Sequence, residues 1–242
     1  MKQFFLILAL FISGFGLETS IAADKPEITL EKEVLDIIRK NPEIIMEAIQ
    51  ILQARESKNN LSDAEKFLKN NKKAIELGLD APVLGNPFGD VTIVEFLDYN
   101  CGYCRKAFKT VMELLAEDKN IRVVMREWPI LGNDSVVAAR ASLAAHKQKK
   151  YNEFHIALME NRGRNSAKSV MSLAKEVGLD IEILKKDMEL TEIDAHIENS
   201  KQLAQMLGLT GTPGFIFGEE IVPGAIGLDQ MREFVAKIRN RG

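Results

Sequence analysis

The chain has only two cysteines, Cys101 and Cys104, and they stand three residues apart directly after a strand-forming run. That run, Val91-Thr92-Ile93-Val94-Glu95-Phe96-Leu97-Asp98, is rich in β-branched and aromatic residues, the mark of a buried central strand. Beyond it, Ala107, Phe108, Val111 and Leu114 recur at helical spacing between Lys106 and Leu115. Tyr99-Asn100-Cys101-Gly102-Tyr103-Cys104-Arg105 therefore converts strand into helix, with the cysteines at the helix start. Unpaired backbone N–H groups and the positive end of the macrodipole favour a thiolate there and lower its pKa. Cys101, nearer the helix end, is the expected nucleophile; Cys104, one turn inward, is the expected resolving thiol. Gly102 and Tyr103 between them tune the relative stability of thiolate and disulfide, and so the potential.

Other uses of a close cysteine pair fit less well. A disulfide across two residues closes very little chain and restrains the unfolded state weakly, so a structural staple is the poorer explanation. A closed zinc site needs about four protein ligands, which two cysteines and three scattered histidines do not obviously supply within one chain. No metal and no cofactor is expected. A multi-disulfide scaffold is excluded.

The compartment follows from the first residues. After Met1-Lys2-Gln3, the run Phe4 to Ile12 is apolar and leads to Ser20-Ile21-Ala22-Ala23, where small residues suit cleavage. Residues 1–23 thus read as a secretory signal, too short in its apolar stretch for a bilayer span of about 20 residues. Its removal takes one cation, Lys2, and one anion, Glu18, and leaves the net charge at −3. A chain of that charge lacks the basic footprint of nucleic-acid binding.

In the mature chain, residues 24–80 are expected to be an N-terminal helical oligomerisation and linker region. Leu30, Val34, Ile37 and Ile38 mark a first helix, and Asn41-Pro42 is expected to cap and open a second. There Ile44, Ile45, Ala48, Ile49 and Leu52 form an apolar stripe. Packing on the chain's own catalytic domain would cover that stripe; so would association between copies. The polar residues 56–60 read as a hinge or extended linker, and Leu61 to Leu77 as a further helix carrying Ala64, Phe67, Leu68 and Ile75. Glycines and prolines from Gly78 to Gly89 then interrupt any long regular element. A second strand is predicted from Ile121 to Met125. Helices over Val136–Lys147, Tyr151–Glu160, Ser166–Val177, Ile181–Leu190 and Asp194–Leu207 make an insertion of about 134–207. Thr212-Pro213, a hairpin and a last helix from Leu228 to Arg239 complete the chain.

Glu95 to Cys104, with Gly211-Thr212-Pro213 about 110 residues later, resembles the DsbA-like branch of the thioredoxin superfamily. The likeness covers residues 81–242 and implies an α/β thioredoxin fold with an inserted helical domain, preceded by an α-helical segment. It also implies that Pro213 is cis and faces Cys101, so that Thr212 pairs strand-like with a substrate segment. Glu95 matches the buried acid beneath the dithiol in that family, its pKa raised by desolvation. Gly102-Tyr103 and Thr212 look like those of DsbC-type isomerases, which work as oligomers. The whole layout is similar to the ScsC proteins and the Com1-like surface antigens of Gram-negative bacteria, and a trimer or dimer is expected.

What the resemblance implies is a periplasmic thiol:disulfide oxidoreductase, an isomerase or reductase of misbonded envelope proteins. Its partners would be cysteine-containing client proteins and a membrane redox partner, DsbD-like as reductant. The alternatives are a DsbA-type oxidase served by a DsbB-like oxidant, and a non-catalytic surface or metal-binding protein retaining the fold. His146, His155 and His196 are expected to be solvent-facing or packing residues. Tyr99 and Tyr103 are expected to border the peptide surface, with Phe108 and Trp128 equally explained by the core.

Overall fold

The computed structural model describes residues 29–240. The signal expected over residues 1–23 lies outside them. Among the described residues no helix is long and apolar enough to cross a membrane. The chain divides into two compact units, one ending at Gln53 and the other running from Ala54 to Gly242.

The first unit holds helix α1, Leu30–Lys40, and the beginning of α2, which as a whole spans Glu43–Leu77. Helix α1 buries none of its residues; Leu30, Val34, Leu35 and Ile37 are exposed, as are Ile44, Ile45, Ile49 and Leu52 of α2. Asn41 serves both helices: its carbonyl accepts from Ile44 N–H at 3.1 Å at the start of α2, while its donors close α1. Its backbone N–H and its side-chain amide both donate to Ile37 O, each at 2.9 Å. Two donors on one terminal carbonyl close the helix, and Pro42 has no N–H to continue it.

In the second unit α2 differs from the sequence expectation, because residues 56–60 are helical and no extended linker interrupts them. A polar run without glycine or proline breaks no helix; it supplies exposed positions. Farther along, Ala64, Leu68 and Ile75 are buried. Leu68 and Ile75 belong to one hydrophobic cluster with Val94, Phe96, Val124 and Trp128. Residues 54–77 thus belong to the same compact unit as the sheet, so the expected boundary near residue 80 falls after a helix already packed on that core. Arg126, fully buried, anchors the helix end: its guanidinium donates to Ala74 O at 2.8 Å, and to Ile75 O and Gly78 O, each at 3.2 Å. These donors satisfy carbonyls that a helix C-terminus leaves unpaired.

The sheet consists of β1 (Val83–Gly85), β2 (Val91–Leu97), β3 (Ile121–Glu127), β4 (Gly214–Phe217) and β5 (Glu220–Pro223), in the order β1-β3-β2-β4-β5. Strands β2 and β3 are parallel and the other pairings antiparallel. Strand β1 falls in the stretch expected to be irregular. It is three residues long and ends at Gly85, whose φ of +79° and close approach to Ile121 O leave no room for a Cβ.

Helix α3, Gly102–Glu117, crosses one face of the sheet together with α9, Leu228–Arg239. Cys104, Phe108, Val111 and Leu114 pack there with Ile93, Leu97, Val123 and Met125, and with Met231 and Val235. The inserted helices are α4 (Asn133–Lys147), α5 (Tyr151–Glu160), α6 (Ala167–Glu176), α7 (Ile181–Met188) and α8 (Thr191–Met206). Leu203 and Ala204, near the end of α8, return to the opposite face beside Leu68 and Ile75. The sheet is covered on both faces, which explains why β2 and β3 read as almost unbroken apolar runs.

Candidate active site

Strand β2 ends at Leu97, and four residues separate it from α3, whose N-cap is Cys101. Asp98, 1% exposed, fixes this turn. Its carboxylate accepts from the backbone N–H groups of Asn100 at 2.8 Å, Ile130 at 2.8 Å and Leu131 at 3.0 Å. The turn is thereby tied to the segment after β3. On its other side the Tyr99 carbonyl accepts from Arg105 Nε at 3.3 Å and from the buried Asn165 Nδ2 at 2.9 Å. The inserted domain thus holds the backbone just before Cys101.

Cys101 and Cys104 are both free thiols. Cys101 keeps 8% of its surface exposed and Cys104 none. The Cys104 thiol is the largest influence lowering the Cys101 pKa, to about 5, assisted by Thr212 and by the backbone N–H groups of Cys104 and Tyr103. Donors pointed at a sulfur stabilise its negative charge. Cys104 moves the opposite way: desolvation, its hydrogen bond to Cys101 and the nearby Glu95 all push its thiol well up, against a single backbone N–H from Asp98 at 3.4 Å. The two sulfurs are made chemically unequal. At neutral pH one is ionised and the other keeps its proton.

The Thr212-Pro213 peptide bond is cis. Cys101 Sγ lies 3.2 Å from Thr212 O, so the segment before β4 stands directly against the first thiol. As a thiol, Cys101 donates to this carbonyl; ionisation removes that donor and leaves the carbonyl available to another. Thr212 is half-buried and Pro213 buried, with Pro213 O accepting from Gly224 N–H at 2.8 Å. Gly214 follows, and a Cβ there would come within 2.7 Å of Leu209.

Glu95 lies in the centre of the sheet, with Met125 and Phe215 as its neighbours on the adjoining strands. Desolvation in those apolar surroundings, reinforced by Glu127, raises its pKa to about 8.

One expectation changes. Tyr99 borders no peptide surface: it is 1% exposed, and its hydroxyl lies 2.9 Å from Glu127 Oε1, 2.6 Å from Ser142 Oγ and 2.9 Å from His155 Nδ1. It is the second residue after β2 and turns inward, where it meets polar partners. Tyr103, by contrast, is 69% exposed, and Ile130 and Leu131 are exposed too. His155 is wholly buried, its pKa pushed down to about 3 by desolvation, and it stays neutral at neutral pH.

Glu127 is the residue that the sequence reading passed over. Its only signal was an acid two residues beyond Met125, on the inward parity of an apolar strand. Among the described residues, no group of three or more His, Cys, Asp or Glu is placed to hold a metal ion.

This arrangement, an unequal Cys-x-x-Cys pair at a helix start facing a cis-proline segment, coincides with a family match. The family described as the DSBA-like thioredoxin domain covers residues 92–236. The chain belongs to the DSBA-like thioredoxin domain family. A second match, to the copper resistance protein ScsC N-terminal domain, covers residues 29–58 ahead of the DSBA-like domain. Among solved structures the chain is similar to a thioredoxin-like oxidoreductase from Silicibacter pomeroyi. They share 50% identity over 70% of this chain and 98% of that one, with a TM-score of 0.69. It is also similar to the thiol-disulfide exchange protein alpha-DsbA2 from Wolbachia pipientis, at 31% identity, 74% and 96% coverage, and a TM-score of 0.67. With Proteus mirabilis ScsC in a transitional conformation it shares 25% identity over 88% of this chain and 94% of that one, with a TM-score of 0.68. Among curated relatives, the Na+/H+ antiporter NhaA 1 of Salinispora arenicola matches at 31% identity over 52% of this chain, which spans 20% of the antiporter's length.

Proposed function

We propose that this DSBA-like chain is an exported thiol:disulfide oxidoreductase that reshuffles or reduces misformed disulfides in envelope proteins. The observation that carries this reading is the inequality of its two sulfurs: Cys101 lowered to about 5 and 8% exposed, Cys104 raised and fully buried. The Cys101 thiolate attacks one sulfur of a client disulfide; a Cys101–client bond forms, the client S–S bond breaks, and the other client sulfur leaves as thiolate. Isomerisation follows when that thiolate, or another on the client, attacks elsewhere and expels Cys101. Reduction follows when Cys104 passes its proton to Glu95 and attacks Cys101, giving the internal disulfide and a reduced client. A membrane donor, DsbD-like in this reading, then returns two electrons to the dithiol. The exposed Tyr103 between the two cysteines, with Ile130 and Leu131, whose backbone is tied to Asp98 in the turn before Cys101, offers apolar contact to an unfolded segment, and the Thr212 carbonyl offers a backbone acceptor.

The oxidase reading rests on a specific observation too. A strongly lowered Cys101 pKa stabilises the reduced form against the disulfide, which raises the potential and favours giving a disulfide away. Scrambled ribonuclease refolding and oxidation of reduced ribonuclease separate the two. Reactivation of the scrambled enzyme, absent with Cys101→Ser, is the expected result; activity confined to the oxidation assay contradicts the isomerase assignment. Unimpaired biological function in Cys101→Ser would favour the non-catalytic alternative.

The N-terminal unit would hold copies of the chain together. Ten large apolar residues between Leu30 and Leu52 are more than 39% exposed, an amphipathic surface that self-association would cover. Light scattering on the mature protein is expected to give a multiple of the chain mass, falling to a monomer when residues 24–60 are removed. A monomer in both contradicts the assembly.

A further inference from the structure

The buried acid Glu127 has no part in the exchange chemistry just described, yet it shares a face of the sheet with Glu95. In the parallel pairing of β2 with β3, Glu95 lies opposite Met125 and Leu97 opposite Glu127, so all four side chains stand on one side. That side carries Cys104 and α3. Arg126, the adjacent cation, faces the other way, toward the α2 carbonyls.

Three hydroxyls converge on Glu127. Its Oε1 accepts from Tyr151 Oη at 2.8 Å, from Tyr99 Oη at 2.9 Å and from Ser142 Oγ at 3.0 Å. Among the described residues, Glu127 Oε2 and Glu95 Oε1 are both buried without a hydrogen-bond partner. The ionisable groups facing the two acids are Asp98 and Tyr99 from the turn before α3, Tyr151 and His155 from α5, and Cys104 from α3. None is a cation: His155 is neutral, and Asp98 is occupied by three backbone N–H groups.

Two acids on a dry face cannot both ionise cheaply, and they titrate as a pair. The first negative charge settles where donors already point, on Glu127. Glu95, with no such donors at Oε1, keeps its proton until the pH is higher.

We propose that Glu127 is a positioning residue for the resolving step: its charge, held by Tyr99, Ser142 and Tyr151 on the face of the sheet shared with Glu95, repels charge on Glu95 and so helps to set the pH at which Cys104 is activated. The inference rests on the oxidoreductase reading above and deepens it. In the step concerned the Cys104 S–H bond breaks and its proton passes to the Glu95 carboxylate. The Cys104 sulfur bonds to Cys101 as the Cys101–client bond breaks, and the client leaves as thiolate. A base with proton affinity near the working pH serves this transfer best. Burial raises the proton affinity of Glu95 and Glu127 reinforces it by repulsion; among the described residues, no lysine or arginine is one of the groups that shift either acid.

The test uses the reduced full-length protein mixed with 5,5′-dithiobis(2-nitrobenzoate) in a stopped-flow instrument. A first release of thionitrobenzoate reports attack by Cys101; a second reports Cys104 resolving the adduct, and Cys104→Ala identifies it by abolishing it. In the wild type the second rate is expected to rise with pH along a limb set by Glu95. Glu127→Gln removes the repelling charge and should move that limb to lower pH by on the order of one unit. Tyr151→Phe removes one donor, leaves Glu127 less ionised, and should move the limb the same way by less. A purely structural role would scale the rate without moving the limb. A second phase present in all three proteins with an unmoved limb overturns the assignment, and Tyr151→Phe decides it should Glu127→Gln fail to fold. Absence of the second phase in the wild type overturns instead the oxidoreductase reading beneath it.

Discussion

Cys104→Ala is expected to convert the protein into a trap. Without the second sulfur, a client joined to Cys101 leaves only by attack from solution or from its own thiols, and the intramolecular advantage of a thiol held one turn away is lost. Such advantages reach effective molarities of about 10⁵ M or more, against millimolar external thiol a ratio of about 10⁸, so reductive release should slow by several orders of magnitude. Mixed disulfides with clients and with the membrane partner should accumulate in cells and be recoverable after acid quenching. The substitution has a second consequence. The Cys104 thiol is the first cause of the low Cys101 pKa, so its removal should carry Cys101 up from about 5 toward the ordinary thiol value. Attack on a simple disulfide at mildly acidic pH should slow with it, while at alkaline pH the two proteins should converge. A Cys104→Ala protein that releases clients at the wild-type rate, or whose Cys101 titrates unchanged, contradicts the division of labour between the sulfurs.

The largest expected effect on stability lies on the opposite face of the sheet. Arg126 is fully buried, and desolvation lowers its pKa only to about 10, so it remains charged at neutral pH. Arg126→Ala would leave the carbonyls of Ala74, Ile75 and Gly78 without the donors that satisfy them, and open a cavity between α2 and β3. An unsatisfied buried acceptor costs about 1–3 kcal/mol, so a loss of about 3 kcal/mol is expected, a large part of the stability of a typical domain. Arg126→Lys should recover only a fraction, because an ammonium on a flexible stem does not span three carbonyls as a guanidinium does. Urea unfolding followed by circular dichroism measures both; a midpoint unchanged in Arg126→Ala would show that α2 is held by its apolar contacts alone.

What the sequence made legible follows the strength of local patterning. The run from Val91 to Asp98 and the helical spacing after Cys104 placed the dithiol at a helix start, and the cis proline and its approach to Cys101 followed from family resemblance. Strand β1 was hidden because three residues among prolines and glycines carry no period; its pairing partner β3 makes it a strand. Residues 56–60 misled for a different reason, since polarity distinguishes an exposed helical turn from a linker only when a breaking residue is present. Tyr99 was read as surface from its place beside the cysteines. The acceptor that turns it inward, Glu127, comes 28 residues later, and Ser142 and His155 later still. Buried polar networks of this kind bring together residues whose sequence positions give no hint of one another.

The linkage of ionisation to folding follows from the same sulfur. Because folding lowers the Cys101 pKa, the reduced form carries stability that is fully present above the unfolded thiol value of about 9 and is lost as the pH falls through about 5. The disulfide form has no such dependence at this site. The difference between the two forms should therefore shrink steadily on acidification, and with it the tendency to give a disulfide away.

The rate of Cys101 alkylation by iodoacetamide in the reduced protein, followed from pH 3 to pH 10 by mass spectrometry, tests the central claim most directly. A single sigmoid with its midpoint near 5, and Cys104 unmodified throughout, is the predicted result. A midpoint near 9, or equal modification of the two cysteines, would contradict it.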